Sequence, residues 1–267
     1  MRILPIFQPM KVIGHRGASD SHPENTFASV KRAFEIADGA EIDIQLSIDE
    51  VIFALHDDTL HRTHIPGTYP IELLKKPVGE LDFSAISAGN VGNTEYSESP
   101  VQLDDVIKLQ CEYINQKNPR DLLIEVKGGD TRMIEPLARS LESFEKKTPG
   151  VSSYWKIIGF DFSLLTKIRD RLPGIHIAWV IERKDANHSC IDRAKRAGFN
   201  GIDFEAGHYL TSDLVTYAHQ NQLKVISWVN GDQTDGKANA IRFKDLGVDE
   251  FTSNLKPDML TTPMRKV

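Results

Sequence analysis

Short apolar runs, each followed by a segment whose apolar positions recur at helical spacing, repeat along the chain from residue 11 to residue 252. The runs 11–15, 40–46, 121–127, 155–160, 175–181, 201–205, 223–229 and 248–252 read as strands. Segments 24–37, 103–115, 131–146, 162–171, 187–197, 211–221 and 236–246 read as amphipathic helices, with Gly198 and Gly247 where helices should stop. Alternating strands and helices build a parallel sheet, and eight strands in a chain of roughly 250 residues predict an α/β fold of the (β/α)8 TIM-barrel type. The run 51–56 is left over. Ser47-Ile48-Asp49-Glu50 before it is turn-like, so that run is expected to fold back on the second strand as a hairpin arm.

The alternation breaks between residues 58 and 100, where Pro66-Gly67, Pro77, Gly89 and Gly92 interrupt many small polar residues. This stretch is expected to be a small cap inserted after the second strand, with one short helix near 78–81. The chain 1–267 is then a single barrel domain carrying that cap.

Composition narrows the function. Hydrophobic residues make up 40% and charged residues 26% of the 267, as in ordinary soluble domains, and no apolar run approaches the ~20 residues of a membrane span. The net charge is −6 with no block of Lys or Arg, which argues against a nucleic-acid partner and for a small-molecule substrate. Cys111 and Cys190 alone give no disulfide framework, and the opening MRILPIFQPMK is short and broken by Pro5 and Pro9, unlike a secretory signal. A cytoplasmic location is expected.

Chemistry concentrates between Val12 and Thr63. VIGH reads as a strand ending on the polar cluster His15-Arg16-Gly17, and Pro23-Glu24 is expected to open the first helix. In AEIDIQ the period of two puts Glu41, Asp43 and Gln45 on one face, and in LLIEVK it puts Glu125 with Lys127. Three carboxylates converging on the C-terminal mouth of a barrel need a cation among them or a shared proton. From spacing alone, a metal and plain pairing with Arg or Lys remain equal alternatives; all-oxygen ligands would suit Mg²⁺ or Ca²⁺ better than zinc. His15 and His56 both follow strands reaching the same mouth, and an imidazole with its ordinary pKa near ~6.5 can serve as either the base or the acid of a proton-transfer reaction. Arg16 and Lys127 would offset the charge of an anionic substrate, unless they merely bridge Glu24, Glu41 or Glu125. Glu24 orients a catalytic group or serves the helix terminus, Asn25 fixes the His15 loop, and Phe160 and Trp228 are either an aromatic wall or core.

The spaced motifs HRGASDSHPENT, EID, HDDTLHRT and IEVK, in that order, resemble the glycerophosphodiester phosphodiesterase family, and FDFSLL, SWVN and GVDEFTSNLKPD extend the resemblance over most of the chain. The resemblance implies hydrolysis of glycerophosphodiesters to sn-glycerol 3-phosphate and an alcohol. It implies His15 and His56 as acid and base, a divalent cation on Glu41, Asp43 and Glu125 that bridges the glycerol hydroxyls and a phosphate oxygen, and a cap that helps choose the substrate. Arg62 and Thr63 match the family too, with a structural role in tying down the insertion. Asp203 with Glu205, Gly159 and Asn254 depart from the family's usual appearance, which puts the leaving-alcohol preference in doubt. Two other readings stand beside this one: a lysophospholipase D-like or phosphatidylinositol phospholipase C-like lipid phosphodiesterase, favoured by an apolar cap, and a catalytically silent barrel that binds a phosphate ester.

Overall fold

The computed structural model describes residues 9–93, 95–230 and 235–260. The opening segment read against a secretory signal lies largely outside them. Strand β1 (Lys11–Gly14) leads into helix α1 (Phe27–Ile36), then β2 (Gly39–Leu46) turns back into the antiparallel arm β3 (Ile52–Ala54). After residues 58–100 the alternation resumes: α4 (Leu103–Asn115), β6 (Asp121–Val126), α5 (Ile134–Lys147), β7 (Trp155–Gly159) and α6 (Phe162–Arg171). It continues through β8 (His176–Ile181), α7 (His188–Arg196), β9 (Gly201–Glu205), α8 (Ser212–Gln220), β10 (Lys224–Trp228), α9 (Lys237–Leu246), β11 (Glu250–Ser253) and the short α10 (Pro257–Leu260).

The parallel strands run β1-β11-β10-β9-β8-β7-β6-β2, and β2 pairs with β1 through Ile13↔Gly39 and Gly14↔Ala40, which closes an eight-stranded TIM barrel. Local chemistry sets the helix ends. Thr26, Asp161, Asn187 and Thr211 cap α1, α6, α7 and α8 with side-chain oxygens, and Gly247 ends α9 in the left-handed conformation at φ 86°.

Two expectations need correction. Helix α1 begins at Phe27 and not at Glu24, because Asn25 sits at φ 56° and Thr26 accepts from the backbone N of Ser29 in a capping box. Residues 58–100 contain more than the one short helix expected: α2 (Ile71–Leu74), a 3₁₀ turn at Val78–Glu80, α3 (Phe83–Ile86), and the two-residue strands β4 (Val91–Gly92) and β5 (Ser97–Glu98). Elements this short leave no periodic trace. They hold together by burying Leu60, Tyr69, Val78, Leu81 and Ile86 against Phe53 and Leu55 beside β3.

Most of the core lies between barrel and helices. Inside the barrel, the period of two along β6 sorts side chains by depth: Asp121 at the floor, Leu123 in a small apolar layer with Ile13, Ile158 and Ile226, and Glu125 towards the mouth. The floor is tied by Lys156, whose Nζ lies 2.8 Å from Asp121 and 3.1 Å from Glu250. Among the described residues, no helix is long and apolar enough to cross a membrane.

Candidate active site

The loop after β1 carries the first functional side chains. Gly17 stands at φ 83°, and a Cβ there would run into Ser29 of α1, so glycine lets the loop turn tightly against the helix. Arg16 (φ 54°) and Asn25 (φ 56°) also take left-handed backbone, joined by the bond from Asn25 N to Arg16 O at 2.9 Å. This strained turn brings the loop down onto β2. The backbone N of Arg16 donates to Glu41 Oε2 at 2.8 Å, its Nε lies 3.3 Å from Asp43 Oδ2, and its Nη1 donates to Glu24 Oε1 at 2.9 Å. Asn25 clamps Asp43: Nδ2 donates to Asp43 Oδ2 at 2.7 Å, and Oδ1 accepts from the Asp43 backbone N at 3.1 Å.

From β6 comes Glu125, with Lys127 one step past the strand end. Lys127 Nζ lies 2.8 Å from Asp43 Oδ1 and is also paired with Glu125 Oε1. Ligand oxygens of Glu41, Asp43 and Glu125 all lie within 4.8 Å of one another. The pairing alternative is therefore half right. Arg16 and Lys127 serve Asp43 and Glu125, whereas Glu41 Oε1 is buried with no hydrogen-bond partner among the described residues.

Three carboxyls this close cannot all be ionised without help. Burial pushes Glu41 well above the usual carboxylate range, and Asp43 and Glu125 push it further. Burial, with Asp43, lifts Glu125 to about 7 against the pull of Lys127. Burial would raise Asp43 as well, but Lys127 and Arg16 overcome it and hold Asp43 at about 2. A carboxylate oxygen without a partner among the described residues, two acids pushed towards their protonated forms and an all-oxygen donor set fit a hard divalent cation, so these three residues can hold one.

His15 and His56 flank this cluster with opposite surroundings. His15 is half-buried; its Nδ1 lies 2.8 Å from Asn254 Oδ1, and its backbone N donates to Ser253 O at 2.7 Å. Burial, and then Arg16, lower its pKa to about 4, which keeps the ring neutral near pH 7. An amide oxygen can only accept, so in the neutral ring Nδ1 carries the proton and Nε2 keeps the lone pair. His56 is partly exposed, and its Nδ1 lies 2.7 Å from Asp57 Oδ1. Hydrogen bonds from Arg62 hold Asp57 ionised with a pKa of about 2. Gln45 Nε2 donates to the carbonyls of Leu55 and Asp57, which pins this segment to β2.

Phe160 and Trp228 meet edge to face at the rim with centroids 5.9 Å apart. Phe160 is exposed, while Trp228 packs on the apolar layer inside the barrel. Neither joins the polar cluster. Asp203 and Glu205 separate: Glu205 accepts from Arg183 N, Arg183 Nη2 and Asn230 Nδ2 at 2.8–3.0 Å, whereas both oxygens of Asp203 are buried without partners among the described residues. Asp57, expected beside the site with His56 but given no role there, and Asn254, noted only as a departure from the family, prove to be the partners of the two imidazoles.

A model of the glycerophosphoryl diester phosphodiesterase family matches residues 15–254. YhdW of Bacillus subtilis, provisionally named a glycerophosphodiester phosphodiesterase, is 28% identical over 260 residues, 94% of this chain and 96% of that protein. A glycerophosphodiester phosphodiesterase of Caldanaerobacter subterraneus is 53% identical over 83 residues, covering 29% of this chain and 34% of its own length. In fold, the chain is similar to an Oleispira antarctica phosphodiesterase solved in complex with the product sn-glycerol-3-phosphate, with a TM-score of 0.76, 20% identity and 94% of each chain covered. It is similar also to a glycerophosphodiester phosphodiesterase from Agrobacterium tumefaciens, with a TM-score of 0.70 and 21% identity over 94% of this chain and 98% of that one.

Proposed function

Because the chain belongs to the glycerophosphoryl diester phosphodiesterase family, we propose that it hydrolyses soluble glycerophosphodiesters to sn-glycerol 3-phosphate and an alcohol, using a divalent cation on Glu41, Asp43 and Glu125. The single observation that carries this reading is the convergence of those three carboxylates, with Glu41 Oε1 left without a partner among the described residues, between two differently set imidazoles. When bound, Mg²⁺ or Ca²⁺ supplies charge stabilisation for the phosphate and for the trigonal bipyramid it passes through.

The chain's own residues do the rest. Arg16 and Lys127 stand beside the carboxylates, placed to turn towards phosphate oxygens, one with a planar fork and one as a point charge. Neutral His15 takes the proton of the attacking oxygen at Nε2. The phosphorus–oxygen bond to the alcohol breaks, and His56 gives its proton to the leaving alkoxide, with ionised Asp57 at Nδ1 accompanying its charge. Residues 58–100 act as the cap beside the leaving alcohol. Their large apolar side chains are mostly turned inward, Leu60 and Ile86 fully, which favours soluble headgroups over a lipid. The chain carries all eight charged and imidazole side chains that this reading calls on, Asp57 included, which weighs against a silent barrel.

The test is purified protein with glycerophosphocholine, glycerophosphoethanolamine and glycerophosphoglycerol, with and without chelator. Release of glycerol 3-phosphate that stops in EDTA and returns with Mg²⁺ or Ca²⁺ supports the reading; full activity in excess EDTA, with no metal found by elemental analysis, contradicts it.

A further inference from the structure

Arg62 lies outside the carboxylate cluster, yet its guanidinium makes four short contacts with two acids that come from different parts of the chain. Nε and Nη2 donate to Asp57 Oδ2 and Oδ1 at 2.6 and 2.9 Å, and Nη1 and Nη2 donate to Glu24 Oε2 and Oε1 at 2.7 Å each. Each acid has a second partner. Asp57 Oδ1 lies 2.7 Å from His56 Nδ1, and Glu24 Oε1 accepts from Arg16 Nη1 at 2.9 Å. The result is an unbroken chain, Arg16–Glu24–Arg62–Asp57–His56, in which charges alternate and the middle member is the only one that touches both acids.

We propose that Arg62 is a positioning residue: by gripping Asp57 and Glu24 together, it fixes the ring of His56 and the guanidinium of Arg16 in register with each other. The catalytic consequence rests on the function proposed above; the geometric one does not. Remove the fork, and two carboxylates are left facing one another without the cation between them. Asp57 is then free to swing to solvent, which releases His56 Nδ1. Glu24 is free to draw Arg16 into a two-pronged pair and away from the mouth. An ammonium cannot substitute, because one point charge does not span two carboxylates in a plane.

Holding the fold together is the competing role, and the geometry argues against it. The Arg62 side chain is 47% exposed, and ion pairs this open to solvent contribute little to stability. The adjoining segment also buries Leu60, Val78 and Ile86 in its own apolar cluster, which does not need Arg62.

The experiment is ¹⁵N NMR of the His56 ring in the substrate-free protein, together with kcat and KM, for the wild type, Arg62→Ala and Arg62→Gln. Wild-type His56 is expected to hold a proton at Nδ1 against Asp57 Oδ1, as the Nδ1-protonated tautomer when the ring is neutral and with a second proton at Nε2 when it serves as the acid. Both variants should move it towards a mixture, and kcat should fall by about 10²-fold, the effect of misplacing a reacting group by roughly 1 Å. Millimolar guanidinium should restore part of the kcat of Arg62→Ala, and Arg62→Lys should recover little. An unchanged tautomer with kcat within about twofold of wild type overturns the proposal. So does a loss of activity that follows the melting temperature in both variants and that guanidinium does not restore. A shifted tautomer in a protein inactive on every glycerophosphodiester upholds the positioning role and refutes the proposed function instead.

Discussion

His15 and Asn254 meet at the barrel seam: the last strand runs beside the first, Gly14 opposite Ser253, and sets the Asn254 amide oxygen 2.8 Å from His15 Nδ1. The bond fixes which nitrogen of a half-buried, neutral ring keeps the proton. His15 should therefore titrate near 4, well below an ordinary histidine at ~6.5. Its neutral folded form makes stability fall as pH drops from about 6.5 towards 4, since the unfolded chain takes up the proton first. His15→Ala and His56→Ala should each lower kcat by about 10²–10⁴ with folding intact. Side-chain NMR titration and steady-state kinetics check both points; a His15 titrating at 6.5, or either variant at near-normal kcat on a substrate with a poor leaving group, would refute the assignment.

Cation binding should release protons and tighten as pH rises. Without a cation Glu41 is pushed well above the usual carboxylate range and Glu125 up to about 7, so protons compete for the same oxygens. Calorimetry in buffers of different ionisation enthalpy measures the release directly. Affinity that is flat between pH 6 and 8 would count against these acids as ligands.

Asn25 should matter through Asp43. It holds both the carboxylate and the backbone N of that residue, from a backbone at φ 56°. Asn25→Gly keeps the backbone conformation and loses only the clamp, so metal affinity should fall by about 10–100-fold with stability largely preserved. Asn25→Ala should lose stability as well, because alanine resists that φ. Equal melting temperatures for the two would contradict the second half.

Asp203 is a buried acid with no partner among the described residues, raised well above the usual range by burial and then by Glu125 and Glu250. The folded protein keeps its proton where the unfolded chain has lost it, so stability drains away as pH rises above about 4, by up to ~1.4 kcal/mol per pH unit. Asp203→Asn should remove that slope and stabilise the protein more at pH 8 than at pH 5. Denaturant melts at the two values settle the sign.

The strands and most helices were legible because each barrel unit is local: an apolar run, a turn, an amphipathic stretch. Helices 103–115 and 162–171 fall on the expected boundaries. The start of α1 was hidden because Asn25 is spent on clamping Asp43, a contact that no local propensity encodes. Pieces of four residues between 58 and 100 were hidden because they stand by packing on one another. At the site, the carboxylates could be grouped by the period of two, but Asn254 could be found only by closing the barrel. Arg62 was visible as a motif residue, and its double grip was not, since Glu24 lies 38 positions away.

The central claim is that this mouth recognises glycerol joined to phosphate. Its lining is charged and buried, so a substrate lacking the glycerol hydroxyls leaves polar groups unpaired, a defect that such sites can reject by up to about 10⁴–10⁵. On the proposed function the alcohol on the other side would touch only the rim, and its exchange should change kcat/KM by roughly a hundredfold at most. The deciding measurement is kcat/KM for glycerophosphocholine, glycerophosphoethanolamine and the choline diester in which ethyl replaces glycerol, at one fixed cation concentration. The account predicts similar values for the first two and a collapse for the third; an ethyl diester cleaved as fast as the glycerol diesters would contradict it.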